Sequence, residues 1–165
     1  MLMNDTRIQI FTTGGTIDKS YFDELSKYQV GESKVADFLR SAKVSLPFEV
    51  SEIFRKDSLD LCDQDRELIR HRIANSEVDR LIITHGTDTM TETANALADV
   101  PGKTIVLVGA LTPARFAESD AVFNLGMAFA TAQIAPCGVY ITMNGTVFRA
   151  NHVRKDRELG AFVNI

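Results

Sequence analysis

Residues 81–90 read Leu-Ile-Ile-Thr-His-Gly-Thr-Asp-Thr-Met. The first four are apolar or β-branched and do not alternate with polar residues, which suits a strand covered on both faces of a parallel sheet. The chain then passes through Gly86 and a knot of hydroxyl and carboxylate side chains. It continues directly into Met90, Ala94, Leu97 and Ala98, an apolar series at helical spacing. A buried strand, a tight turn and a helix in immediate succession form the repeating unit of a layered α/β protein.

The rest of the sequence repeats that unit. Residues 8–12, 50–54, 104–108 and 139–143 are further short runs rich in Ile and Val. Between them, Val35, Phe38, Leu39 and Ala42 form one helical stripe and Leu68, Ile69 and Ile73 another. Residues 120–134 carry two apolar lines, Phe123, Met127, Ala130 and Ile134 beside Val122, Leu125 and Phe129, so that helix is expected to be covered on two sides. Asp63 and Asp120 stand where the second and last helices need N-caps. The alternation predicts a three-layer, doubly wound, mostly parallel sheet, Rossmann-like or flavodoxin-like, spanning residues 1–165 as a single domain. Ligands in such sheets bind beyond the carboxyl ends of the strands. Residues 17–32 form the one long connection, of the kind that serves as a loop or lid over a site.

Bulk properties narrow the function classes. A chain of 165 residues can bury roughly 70% of its unfolded surface without help from a metal or disulfide. Its charge of −4, with acids and bases interspersed, argues against a nucleic-acid or anionic-membrane partner. Cys62 and Cys137 form no ligand pattern and read as buried thiols in a reducing compartment. The beginning, MLMNDTRIQIF, lacks the basic and apolar regions of a secretory signal. No apolar run approaches the roughly 20 residues that span a bilayer. The expected location is the cytoplasm.

Chemistry could lie at two strand ends. The run 8–12 leads into Thr12-Thr13-Gly14-Gly15-Thr16, where paired glycines permit positive φ and close approach of another group. The pair fits neither a dinucleotide fingerprint nor a phosphate loop, and alone it fits a tight turn equally well. The turn 84–90 would serve equally as an ordinary helix cap, and His85 reads as structural. Two hydroxyl-rich turns with a carboxylate on one sheet are a stronger signal. A threonine hydroxyl needs a base to become a nucleophile. Lys155, between Arg154 and Asp156-Arg157, could be that base, since a lysine partly desolvated near other cations gives up its proton more readily. It could as well be one charge of a solvated patch.

These residues carry a family resemblance. Thr12-Thr13-Gly14-Gly15-Thr16-Ile17-Asp18 and Ile83-Thr84-His85-Gly86-Thr87-Asp88-Thr89-Met90 resemble the two signature blocks of bacterial-type L-asparaginases. The likeness continues through Tyr28-Gln29-Val30-Gly31, Asp57-Ser58, Val108-Gly109-Ala110, Phe123-Asn124-Leu125 and Val153-Arg154-Lys155, in the family's order.

The resemblance implies a cofactor-free, metal-free amidohydrolase converting L-asparagine to L-aspartate and ammonia through a threonine acyl-enzyme. Thr16 would be the nucleophile and Tyr28 the lid residue that bonds its hydroxyl. Thr87, Asp88 and Lys155 would be the second hydroxyl, carboxylate and base. Asp88 would also hold the substrate's α-ammonium and Ser58 its α-carboxylate, with Asp57 a further substrate-binding residue beside Ser58. The N–H groups of Gly15 and Thr87 would form an oxyanion hole, each donor worth about 3 kcal/mol to the transition state, and the Ala110 carbonyl would orient the amide. Glutamine or a related amide is the alternative substrate, because one methylene is worth only about 1–3 kcal/mol. A tRNA-dependent amidotransferase subunit and a non-catalytic amino-acid-binding or assembly module are more distant readings. Leu59 and Thr112 depart from the family's usual Gln and Arg. The family's C-terminal domain is expected to be absent, leaving the cleft to be covered by self-association into a homo-oligomer.

Overall fold

The computed structural model describes residues 7–22 and 27–165. In chain order the strands are β1 (Ile8–Gly14), β2 (Lys19–Phe22), β3 (Lys27–Val30), β4 (Phe48–Lys56), β5 (Arg80–Thr84), β6 (Thr104–Val108), β7 (Gly138–Met143), β8 (Thr146–Arg149), β9 (Val153–Asp156) and β10 (Ala161–Asn164). The helices are α1 (Val35–Ser41), α2 (Asp63–Ala74), α3 (Met90–Ala96) and α4 (Ala121–Ile134).

The uninterrupted Ile and Val runs have become the middle of a six-stranded sheet ordered β4-β1-β5-β6-β7-β8. Strands β4 through β7 pair in parallel and β8 closes the sheet antiparallel to β7. Alternate residues of each strand serve opposite faces. Ile82, Val106 and Val108 pack with Val35 and Leu39 of α1 and with Leu125, Ala128 and Phe129 of α4. Leu81, Ile83, Ile105 and Leu107 pack with Ile69 and Ile73 of α2 and Met90 and Ala94 of α3. Each fully buried aliphatic side chain contributes roughly 1.5–3 kcal/mol against exposure. This is the expected three-layer, doubly wound arrangement.

Several local expectations are corrected. Strand β4 is not covered on both faces: it lies at the sheet edge, with Glu49, Glu52 and Arg55 exposed. The cap of α2 is Cys62, not Asp63, and the Asp65 carboxylate accepts its amide at 3.1 Å. Asp120 does stand at the N-cap of α4, but its carboxylate turns backward and takes the amides of Leu111 and Thr112, each at 3.0 Å. Among the described residues, cover is found on the Leu125 and Phe129 side of α4 alone. Phe123, Ala130 and Ile134 face outward, Ile134 being 83% exposed. Cys62 and Cys137 are free and exposed, not buried.

Two hairpins lie outside the expected pattern. Asn144 and Gly145, both at positive φ, turn β7 into β8, the two-residue turn that an Asn-Gly pair favours. Strands β9 and β10 pair antiparallel, and Val153 and Phe162 anchor them in the α2–α3 face of the core. Within 17–32, the described residues form a short 3-10 turn and the antiparallel pair β2–β3 in place of an irregular loop.

No helix among the described residues is long and apolar enough to cross a membrane.

Candidate active site

Strand order reverses between β1 and β5, since β4 follows β1 in the chain but lies on its other side. Such a switch point opens a crevice at the carboxyl ends of the strands. The register places Thr12 opposite Thr84, so the turns after β1 and β5 begin level with each other. Thr13 donates its hydroxyl to the Thr84 carbonyl at 2.7 Å and ties the two strand ends together.

The turns then touch. A methyl group on Gly15 would sit 2.4 Å from both Cα and N of Gly86, and the φ of Gly15 is +86°. Only glycine satisfies both demands there. A methyl on Gly86 would meet the Ser58 Oγ at 2.5 Å. Three turns, after β1, β4 and β5, therefore converge on the Gly15–Gly86 contact. Thr16 and Thr87 are the residues that follow those two glycines. Thr16 is partly buried at the start of a 3-10 turn, and Thr87 is buried.

Lys155 reaches this place from β9. Two residues beyond buried Val153, it shares that residue's side of the strand, which docks the lysine against the body of the protein. Its Nζ donates to Thr87 Oγ1 and to Asp88 Oδ1, both at 2.8 Å. The lysine side chain is 17% exposed, so the surface-patch reading does not hold.

Ser58 is buried at the start of the 3-10 turn Ser58–Asp60, which Thr89 secures by donating to the Ser58 carbonyl at 2.8 Å. Its own hydroxyl has no partner among the described residues. An orphaned buried hydroxyl costs about 1–3 kcal/mol unless something bonds it. Asp57 forms an ion pair with Lys19 at 2.7 Å. Burial pushes its carboxyl up, but Lys19 and the Leu59 amide outweigh burial and leave it below the ordinary value. Ala110 is fully buried beside Ile17. Leu59 is 63% exposed, and Thr112 is held by Asp120 and by Ser119, which donates to its carbonyl.

Tyr28 stands apart from the lysine group. It lies on β3, exposed, with its ring 5.4 Å from that of Tyr21 and edge-on to Phe116 at 6.0 Å. The base of its hairpin is closed by the Gly31 amide donating to the Asp18 carbonyl at 2.8 Å.

Two titratable groups beside the site carry weight that sequence reasoning did not give them. Burial raises the Asp18 carboxyl to about 6, with Glu52 adding and Ser33, Arg115 and Arg55 opposing. Burial lowers His85 to about 4. An acid three residues past a glycine pair and a histidine inside a turn were the available signals. Among the described residues no group of His, Cys, Asp and Glu is arranged to hold a metal.

Fold and site together define a doubly wound α/β domain with a hydroxyl–carboxylate–lysine group at its switch point. The chain belongs to the asparaginase family: residues 7–162 match the domain described as Asparaginase, N-terminal. It is 32% identical to L-asparaginase 2 of Escherichia coli strain K12 over 161 residues, 90% of this chain and 46% of that protein. Against the glutaminase-asparaginase of Acinetobacter glutaminasificans it is 38% identical over 105 residues, 61% of this chain and 30% of the other. The solved thermostable L-asparaginase of Thermococcus kodakarensis superposes with a TM-score of 0.84 at 28% identity, over 96% of this chain and 51% of that one. The chain thus spans about half the length of the relatives it matches.

Proposed function

We propose that this domain hydrolyses the side-chain amide of L-asparagine to L-aspartate and ammonia, with Thr16 as nucleophile. The observation that carries the reading is the lysine bonded to both Thr87 and Asp88 at 2.8 Å, beside the contact of the Gly15 and Gly86 turns. Thr16 Oγ attacks the amide carbon and its proton passes toward the Lys155 group. As the adduct collapses, that proton passes on to the leaving nitrogen, ammonia departs and an ester is left on Thr16; water then attacks the ester, a proton from it returns to Thr16 Oγ, and aspartate leaves. Gly15 and Thr87 amides receive the developing oxyanion, and the Ala110 carbonyl orients the leaving amide.

Asp88 engages the incoming α-ammonium in a charge-assisted contact. The unpartnered Ser58 hydroxyl suits the α-carboxylate. Asp57 sits in that turn, but its carboxylate is committed to Lys19; its part is to hold the turn. Tyr28 would bond the Thr16 hydroxyl when the β2–β3 hairpin closes.

Ammonia release from asparagine by the wild type and by Thr16→Ala tests the proposal; undiminished release by Thr16→Ala ends it. The relative named glutaminase-asparaginase favours a glutamine arm in the same assay. Aspartate binding without turnover of either amide would identify a binding module.

The outward face of α4, with Phe123, Ala130 and Ile134 uncovered, supports self-association. Sedimentation at micromolar protein should show a dimer or larger; a monomer throughout refutes it.

A further inference from the structure

His85 is wholly buried inside the turn after β5, and both of its ring nitrogens are engaged. Nδ1 lies 2.7 Å from the carbonyl oxygen of Gly86, and Nε2 lies 2.7 Å from the Thr93 hydroxyl on α3. A carbonyl can only accept, so Nδ1 carries a proton. Burial holds the ring's protonation at about pH 4, so near neutrality the imidazole is uncharged and Nε2 offers a lone pair. Thr93 must then donate to Nε2. The donor order is fixed: Thr93 hydroxyl to Nε2, and Nδ1–H to the Gly86 carbonyl.

That carbonyl shares one planar peptide group with the N–H of Thr87. A hydrogen bond accepted by the peptide oxygen fixes the plane and polarises the N–H at its other end, by roughly 10–30% of a bond's strength. Gly86 cannot orient the group itself, because it has no side chain and has no room for one against Ser58.

We infer that His85 is a positioning residue, a neutral Nδ1–H imidazole that aims and polarises the Gly86–Thr87 peptide as oxyanion donor. The inference rests on the acyl-enzyme reading above. It makes His85 act on the transition state without touching substrate.

The test compares His85→Asn, whose amide nitrogen replaces Nδ1, with His85→Gln, whose amide reaches the Nε2 side. His85→Gln should lower kcat on asparagine roughly two- to fivefold, the share of one oxyanion donor that polarisation supplies, with KM and aspartate binding unchanged. His85→Asn should recover most of that loss. The Thr87 amide proton should move upfield in the Gln variant and stay in place in the Asn variant, a readout that needs no turnover. In wild type, nitrogen spectra of His85 should show a protonated Nδ1 and a bare Nε2, unchanged well above the ring's value of about 4. A ring protonated at Nε2, equal losses in the two variants, or a Thr87 amide that does not move would overturn the inference. If neither variant folds, the wild-type ring spectrum decides alone. Failure of the acyl-enzyme reading is separate: an active Thr16→Ala would leave the ring and amide spectra as expected.

Discussion

The turn after β5 and the β2–β3 hairpin both reach the candidate site, and they are held in opposite ways. In the turn, Thr87 and Asp88 are bonded to Lys155, His85 uses both ring nitrogens, and Thr89 is tied to the Ser58 carbonyl. The hairpin is exposed along β3 and leans on ring contacts among Tyr21, Tyr28 and Phe116. Networks bonded at every member fix a geometry, whereas exposed backbone with few buried contacts opens at small cost. The Thr87–Asp88–Lys155 group is therefore held by its own bonds, whereas the described residues of the β2–β3 pair have few buried contacts to hold them.

The largest effects should come from breaking the rigid half and the proposed nucleophile, Thr16. Thr16→Ala should lower ammonia release by roughly a thousandfold or more while aspartate binding stays within a few-fold, because the lost hydroxyl acts in the chemical step. Lys155→Met should cost nearly as much. Adding Thr87→Val to Lys155→Met should then change little further, since members of one unit are non-additive. Full activity in Lys155→Met would dissolve the proposed group even if Thr16 remained the nucleophile.

Next in size is the seam between the two halves. Gly15→Ala puts a methyl 2.4 Å from Gly86 backbone atoms at a φ of +86°. Overpacking and left-handed strain each cost of order 1–3 kcal/mol. Urea unfolding should show a loss of several kcal/mol, and a change under 1 kcal/mol would mean the turns can separate freely.

Much of this was legible in the sequence, for identifiable reasons. Ile82, Val106 and their neighbours are buried on both faces, so the strand runs announce themselves without tertiary information. Strand β4 misled because Val50, Ile53 and Phe54 drew the reading, while Glu49, Glu52 and Arg55 already marked its exposed face. The Asn144-Gly145 turn carried the strongest local hairpin signal there is, yet only charged and short segments follow it. Strands β9 and β10 have no periodicity of their own. They exist because Val153 and Phe162 reach a core built elsewhere, and the partial burial of Lys155 follows from that docking. Family likeness drew attention to Lys155, whereas composition alone would have left it in solvent. The roles of Asp18 and His85 depend on desolvation, which no local pattern reports.

Asp18 offers a smaller effect, at the hairpin's base. Its native carboxyl titrates at about 6 against 3.8 for the unconstrained group, because of burial. Between those values the native state binds more proton than the unfolded state, so stability falls as pH rises through that window. At 1.36 kcal/mol per unit, the loss reaches about 3 kcal/mol above pH 6. Asp18→Asn should flatten that slope, unfolding at higher urea than wild type near pH 8 and at equal urea near pH 4. An unchanged slope would mean that other groups set it.

The smallest change sharpens the comparison most. Tyr28 is half exposed on β3, so Tyr28→Phe should alter stability by less than about 0.5 kcal/mol. Both rings keep their contacts with Tyr21 and Phe116, and only the hydroxyl is lost. If the hairpin closes over Thr16 and that hydroxyl bonds the nucleophile, turnover should fall roughly tenfold, the worth of a single hydrogen bond. Aspartate should slow amide exchange in residues 28–30 equally in wild type and variant, since closure depends on the hairpin and not on the hydroxyl. Protection already complete without aspartate would make the hairpin a fixed wall. A loss of a thousandfold in Tyr28→Phe would instead move Tyr28 across the divide, into the same proton-transfer unit as Lys155, and the double variant with Lys155→Met would then show no further loss.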